Sequence, residues 1–224
     1  MIFFDIGATL IDGPNLAPAR QLQQLLGLSD LLRKEIDTRL LTGGLSSRLD
    51  LVEYLRAETK LGWQPCQDAV EAVWRSQAQE PRAVVGAAEL LHALRNQAVP
   101  YGFISNIWAP YADAFRRLFG ELAEGRSAIL SYQRGVAKPD PEIYRQALEA
   151  GAHNPTQCVM IGDSYDNDME PAIALGMRTV WLLHRPAKEK PFLEKVGAGL
   201  LASPDLIVPS ISSLSPQMLK DITR

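Results

Sequence analysis

Met1-Ile-Phe-Phe-Asp-Ile-Gly-Ala-Thr-Leu10 opens the chain. Ile2, Phe3 and Phe4 are apolar at consecutive positions, the pattern of a strand buried on both faces of a parallel sheet, and the run ends in an acid, Asp5. Ligands of open parallel sheets gather at the carboxyl ends of strands, so the residue that follows the run is where chemistry is expected. A carboxylate there can coordinate a metal or attack an electrophile; the plainer alternative is an acid that closes a turn.

The same pattern recurs outward from this stretch. Short apolar runs at 99–104, 128–130, 158–161, 179–183 and 206–208 end in polar or glycine-containing turns, with helical periodicity between them. The alternation predicts an α/β fold, a doubly wound parallel sheet of Rossmann-like type. One stretch breaks it. From Pro14 to Gln79 four helical stripes follow one another: Leu22, Leu25 and Leu26; then Leu31, Leu32, Ile36, Leu40 and Leu41; then Leu49, Val52, Leu55 and Leu61; then Ala69, Val70, Val73 and Trp74. Ser29 or Asp30 would cap the second helix, and Gly43-Gly44 would close it. With Pro14 and Pro18 at its entry and Pro81 at its exit, residues 14–80 read as a four-helix domain inserted into a sheet domain of residues 1–13 and 81–224.

Composition fits such a protein. A chain of 224 residues, 46% hydrophobic and 22% charged, can bury a sizeable core, and a net charge of -3 gives no electrostatic reason to expect a nucleic-acid partner. Cys66 and Cys158 stand far apart without a metal-binding spacing and read as small core residues of a reduced, cytoplasmic protein. The first ten residues lack a basic segment before their apolar run, and no run approaches 18 apolar residues, so neither a secretory signal nor a membrane span is expected.

Three further strand ends carry polar chemistry. Ser105-Asn106 follows the second run, just before a helix beginning near Pro110, a setting that suits an anionic phosphate oxygen. Lys138 precedes Pro139-Asp140-Pro141, where Asp140 reads as an N-cap with proline in the first helical turn, so the cation is held at a helix mouth. Gly162-Asp-Ser-Tyr-Asp-Asn-Asp168 concentrates three carboxylates, the hard oxygen ligands that magnesium favours. Gly162 is expected to permit a tight turn, Asn167 or Asp166 to cap the next helix, and Asp163 with Asp168 to form the functional pair.

Together these pieces resemble the haloacid dehalogenase (HAD) superfamily. Its motifs are a strand followed by Asp-x-Asp-x-Thr, a strand-end Ser or Thr, a Lys often followed by Pro-Asp-Pro, and a segment like Gly-Asp-Ser-x-x-Asn-Asp. Asp5 with Thr9, Ser105 with Asn106, Lys138 with Pro139-Asp140-Pro141, and residues 162–168 match them in order. The resemblance spans nearly the whole chain and includes a helical cap inserted after the first motif. It implies a Mg²⁺-dependent hydrolase of a small phosphorylated molecule. Asp5 would be the nucleophile, Ser105, Asn106 and Lys138 the phosphate ligands, Lys138 also a neutraliser of charge beside Asp5, and Asp5, the Gly7 carbonyl, Asp163 and Asp168 the metal site.

Gly7 departs from the pattern. Phosphatases of the superfamily carry an aspartate here, whose side chain protonates the leaving group, and the loss of an acid/base costs about 10²- to 10⁴-fold in rate. Good leaving groups, a replacement acid such as Asp12, or a binding protein with little turnover would each answer this departure. Haloacid dehalogenation and phosphonate hydrolysis are the other chemistries the resemblance allows, the latter needing a cap lysine such as Lys34 or Lys60. His92, His153 and His184 show no partner spacing and read as structural or surface residues, while Trp108 follows Ser105-Asn106 closely enough either to line the site or to pack beneath a loop. Arg39, Arg48, Trp63 and Trp74 lie in the cap, which would set specificity by closing over the substrate.

Overall fold

The computed structural model describes residues 1–222. Its main sheet has six strands, β1 (Ile2–Phe4), β4 (Tyr101–Ser105), β5 (Ala128–Leu130), β6 (Val159–Gly162), β7 (Arg178–Leu182) and β8 (Leu206–Val208), in the order β5-β4-β1-β6-β7-β8. All neighbours are parallel, and Phe3 pairs with Gly102 on one side and Met160 on the other. Each predicted run is therefore a strand, shifted by two residues or fewer at its ends.

Consecutive apolar residues are required because each strand feeds two cores. Ile2 and Phe4 point to one face, where they join Leu91, Phe103, Phe115 and Ile161. Phe3 points to the other, where it meets Ile104, Ile129, Tyr144 and Met160. Burying each of these side chains contributes about 1.5 to 3 kcal/mol. The helices that cover the faces are α5 (Ala87–Asn96), α6 (Ala109–Ala123), α7 (Ser131–Arg134), α8 (Pro141–Ala150), α9 (Glu170–Ala174), α10 (Pro186–Gly197) and α11 (Pro216–Ile222).

Between β1 and α5 lie α1 (Pro18–Leu26), α2 (Asp30–Leu41), α3 (Arg48–Thr59) and α4 (Trp63–Gln79). The Ser29 hydroxyl accepts the Leu32 N–H at the start of α2, and Ser47 and Asp50 form a reciprocal capping box at the start of α3. Leu22, Ile36, Leu40, Leu55, Val70 and Val73 share a separate apolar cluster. The stripes were misread at four positions: Leu25, Leu31, Leu49 and Leu61 are exposed, and Leu28, Leu45, Leu51 and Cys66 are buried instead. Four helices packed at angles bury only part of each stripe, and periodicity alone does not say which part.

Trp108, from the segment after β4, completes this helical core. Its indole meets Trp74 edge-on at 5.3 Å, and its N–H donates to Gln77 at 3.3 Å. A second, short sheet was not predicted. β2 (Ile11–Asp12) and β3 (Arg82–Ala83) pair antiparallel, so the two chain crossings between sheet and helices are tied together as one ribbon. The Val84 N–H extends the ribbon by donating to Leu10 O at 2.8 Å. Both cysteines are free and buried, and among the described residues no helix is long and apolar enough to cross a membrane.

Candidate active site

The sheet order places β1 between β4 and β6, so Asp5 emerges between Ser105-Asn106 on one side and Gly162-Asp163 on the other. The chain crosses to opposite sides of β1, through β4 and β5 one way and β6, β7 and β8 the other, and the crevice at the strands' carboxyl ends holds a cavity of about 360 Å³, large enough for a small ligand. Asp5, Gly7, Lys138, Asp163 and Asp168 all line it.

Lys138 is the hub. Its ammonium bonds Asp5 Oδ1 at 2.6 Å and Asp168 Oδ1 at 2.5 Å, and it is buried. Asn106 aims it: the Asn106 side chain accepts the Lys138 N–H at 2.7 Å and donates to the Lys138 carbonyl at 2.8 Å. Beyond the lysine, the Asp140 carboxylate accepts the Glu142 N–H and starts α8. The carboxamide of Asn106, expected on the phosphate, is therefore committed to the lysine backbone. Ser105, expected beside it, is buried and lies outside the cavity lining, and its hydroxyl, like that of Thr9, has no hydrogen-bond partner among the described residues.

Residues 162–168 differ from expectation in local detail. Gly162 is not in a left-handed conformation. A Cβ there would lie 2.3 Å from the Asp168 carboxylate, so the glycine makes room for that side chain. Asp168, not Asp166 or Asn167, accepts a backbone N–H of the turn, that of Ser164 at 3.0 Å. Asp166 bonds the Ser164 hydroxyl at 2.6 Å, and the Asn167 carbonyl accepts from Tyr144.

Asp163 is engaged by a residue that no motif marked. Arg185, just after β7, places Nε 2.9 Å and Nη2 2.5 Å from Asp163 Oδ2. The centre thus holds three buried acids and two cations. Burial raises Asp168 above the ordinary carboxylate range, Lys138 opposes this, and Asp5 and Asp163 reinforce it. Asp163 is raised for the same reason, burial first, with Arg185 opposing. Burial would lower Lys138, but Asp168 and Asp5 outweigh it and hold the ammonium above its usual value. Asp5, Asp163 and Asp168 can each turn an oxygen within 4.8 Å of the others, a hard-donor set that fits a divalent cation such as magnesium.

The family model described as haloacid dehalogenase-like hydrolase matches residues 1–176. The chain belongs to that family. Among relatives of this haloacid dehalogenase-like hydrolase is the glyceraldehyde 3-phosphate phosphatase of Pyrococcus abyssi, 27% identical over 196 residues, which cover 81% of this chain and 80% of the relative. A HAD-family enzyme of Bacteroides thetaiotaomicron, solved in complex with magnesium and inorganic phosphate, superposes with a TM-score of 0.61 at 18% identity, over 81% of this chain and 92% of its own. The 2-haloacid dehalogenase of Pseudomonas syringae superposes with a TM-score of 0.65 at 20% identity, over 98% of this chain and 97% of its own. A structure that holds magnesium and phosphate and one of a dehalogenase share the fold, so the fold alone does not select a chemistry.

The remaining walls of the hydrolase's cavity come from residues that sequence reading ranked low or missed. Trp108 lines it as expected, with Tyr111 one helical turn further on. The helical insertion contributes Leu16, Asp37, Leu41 and Gln77, whereas Arg39, Arg48, Trp63 and Trp74 do not line the cavity. Arg39 pairs with Glu35, Arg48 lies over Trp74, and Trp63 donates to Gln67. Lys34 and Lys60 are also outside the lining. His184, read as structural or surface, meets Asp12 at 3.1 Å on the cavity rim. Burial would raise Asp12, but His184 and the Gly13 N–H outweigh it and hold the carboxyl below its ordinary value. An acid so held is a poor proton donor. No motif covers Arg185, Tyr111 or His184; their positions depend on chain paths across the sheet.

Proposed function

We propose that this hydrolase is a magnesium-dependent phosphohydrolase of a small phosphorylated molecule, acting through an aspartyl-phosphate on Asp5. The observation that carries the reading is the buried Asp5–Lys138–Asp168 relay beside Asp163, a nucleophile held against a cation and a set of oxygen ligands. Dehalogenation needs no such excess of acid, and a phosphatase among the relatives aligns over most of the chain.

Lys138 holds Asp5 in place through its 2.6 Å bond and stands where it offsets charge on an incoming phosphoryl group. Asp5 Oδ attacks phosphorus in line, the bond to the leaving oxygen breaks, and water then hydrolyses the acyl phosphate, returning Asp5 and releasing inorganic phosphate. Asn106 acts as a positioning residue through its two bonds to Lys138. Asp163 and Asp168, with Asp5 and the Gly7 carbonyl, would hold magnesium, which supplies charge neutralisation at the phosphoryl oxygens. Gly7 supports a second reading, a phosphometabolite-binding protein with little turnover, because position 7 offers no carboxylate.

The deciding experiment assays p-nitrophenyl phosphate and alkyl phosphates with and without Mg²⁺ for the wild type and Asp5→Asn. Magnesium-dependent release of phosphate, abolished by Asp5→Asn, is expected. Phosphate binding without turnover would favour the second reading, and activity indifferent to Asp5 would overturn both the nucleophile and the mechanism.

A further inference from the structure

Position 7 carries no side chain, yet the space beside it is not empty of chemistry. A Cβ on Gly7 would lie 3.8 Å from Cε1 and 3.9 Å from the hydroxyl oxygen of Tyr111, and among the described residues no other side chain comes within 4 Å of it apart from chain neighbours. Tyr111 sits in the first turn of α6, and its ring packs against both the sheet core and the helical core, so the phenol is fixed from two sides. Both Gly7 and Tyr111 line the cavity that holds Asp5.

We infer that the Tyr111 hydroxyl is the hydrogen-bond donor to the leaving-group oxygen in this site, standing in for the carboxylate that Gly7 lacks and restricting the enzyme to phosphate esters of acidic alcohols and phenols. The inference rests on the phosphohydrolase reading above. In-line attack by Asp5 sends the leaving oxygen away from Asp5 into the body of the cavity, which Tyr111 borders. The cations and amide beside the nucleophile already bond protein groups: Lys138 to Asp5 and Asp168, Arg185 to Asp163, and Asn106 to the Lys138 carbonyl. The Tyr111 hydroxyl makes one long bond, to Ile11 O at 3.4 Å, which a substrate oxygen can replace. Burial, then the nearby charges of Asp12 and Asp5, raise the phenol well above its ordinary value.

The step balances without proton transfer from tyrosine. The bond from Asp5 oxygen to phosphorus forms, the phosphorus to oxygen bond of the ester breaks, and the electron pair stays on the leaving oxygen. Tyr111 O–H stabilises that oxygen by hydrogen bonding, and water supplies the proton that neutralises it. A hydrogen bond to a developing anion is weaker help than full protonation, so turnover should depend steeply on leaving-group acidity.

The test compares p-nitrophenyl, phenyl and ethyl phosphate as substrates of the wild type, Tyr111→Phe, Gly7→Asp and the double variant. Trapped aspartyl-phosphate at Asp5 in the wild type is read first, because its absence sinks the phosphohydrolase reading and this inference with it. With Asp5 phosphorylated, Tyr111→Phe is expected to lower kcat/KM on ethyl phosphate by about 10- to 100-fold, the effect of losing one bond to a charged group. The loss on p-nitrophenyl phosphate is expected to be below about 3-fold, because that leaving group needs little stabilisation. Gly7→Asp should raise ethyl phosphate turnover and shrink the Tyr111→Phe effect, since both groups serve the same oxygen. Unchanged binding of inorganic phosphate by calorimetry shows that Tyr111→Phe keeps the site folded. Equal losses on all three esters, no loss on any, or independent effects of the two substitutions would each overturn the inference while leaving the Asp5 chemistry intact.

Discussion

Arg185 and Asp163 form a two-pronged ion pair in which both guanidinium nitrogens converge on one carboxylate oxygen, at 2.9 and 2.5 Å. Asp163 is also one of the three acids that can share a cation. The arginine side chain is 45% exposed, so its hold on Asp163 is screened by solvent and can be exchanged. A divalent cation bound through Asp163 would share that carboxylate with Arg185 and be opposed by its charge. Arg185→Ala is expected to tighten Mg²⁺ binding by up to about 5-fold, the scale of a partly exposed ion pair. Calorimetric titration of the substrate-free protein with Mg²⁺ measures this directly, and weaker binding in the variant would show that Arg185 orders the site instead of opposing the metal.

Lys138 serves stability as well as chemistry. Removing one partner of a buried ion pair leaves uncompensated charge, so Lys138→Met should cost about 3 to 5 kcal/mol in urea unfolding at neutral pH without metal. The folded pKa of Lys138 lies above its ordinary 10.5. Its contribution is therefore complete below pH 10.5 and is lost as pH climbs through the higher folded value. In the methionine variant the deficit should instead shrink as pH falls and Asp168, already raised by burial, takes up a proton. A deficit that does not change between neutral and acid pH would contradict this account.

Gly162→Ala tests the close approach of Asp168. The added methyl would stand 2.3 Å from the Asp168 carboxylate, which Lys138 and the Ser164 N–H hold in place. Overpacking of this kind costs about 1 to 3 kcal/mol. Urea unfolding should register that loss, and Mg²⁺ affinity should fall with it because Asp168 is displaced. A variant with native stability and metal affinity would mean that the turn relaxes freely.

Trp108 joins the sheet's loop to the helical core. It is 3% exposed, packs on Trp74 and donates to Gln77. Trp108→Ala is expected to destabilise the protein by about 3 to 5 kcal/mol. Separate unfolding transitions by fluorescence and circular dichroism would reveal that the helical unit has come loose from the sheet. A loss below about 1 kcal/mol would place Trp108 outside the load of either core.

Much of the fold was legible in the sequence because burial on both faces forces a strand to be apolar at every position. Phe3 and Phe4 are both fully buried on opposite faces, and such a run has few other readings. The β2–β3 ribbon was not legible. Two residues carry no periodicity, and Asp12 finds its partner Arg82 seventy positions away. Leu31 and Leu49 read as core and are exposed, because a leucine's place in a helical stripe fixes its angle around the helix but not the neighbour it meets.

The sequence by itself determined the strands and the residue types near their ends: Asp5 and Asp163 directly follow β1 and β6, whereas Lys138, expected at a strand end, is separated from β5 by α7 and stands just before α8. Only the tertiary structure decided how those groups are shared. The strand order set Lys138 between Asp5 and Asp168, bonded the Asn106 side chain at the cavity wall to the lysine backbone, and brought Arg185 to Asp163. It also brought the Tyr111 phenol beside Gly7, the position where the sequence showed only a missing carboxylate. Spacing along the chain carries the identity of a ligand, whereas its partner depends on the crossing of segments that are far apart in sequence and adjacent only once the sheet has formed.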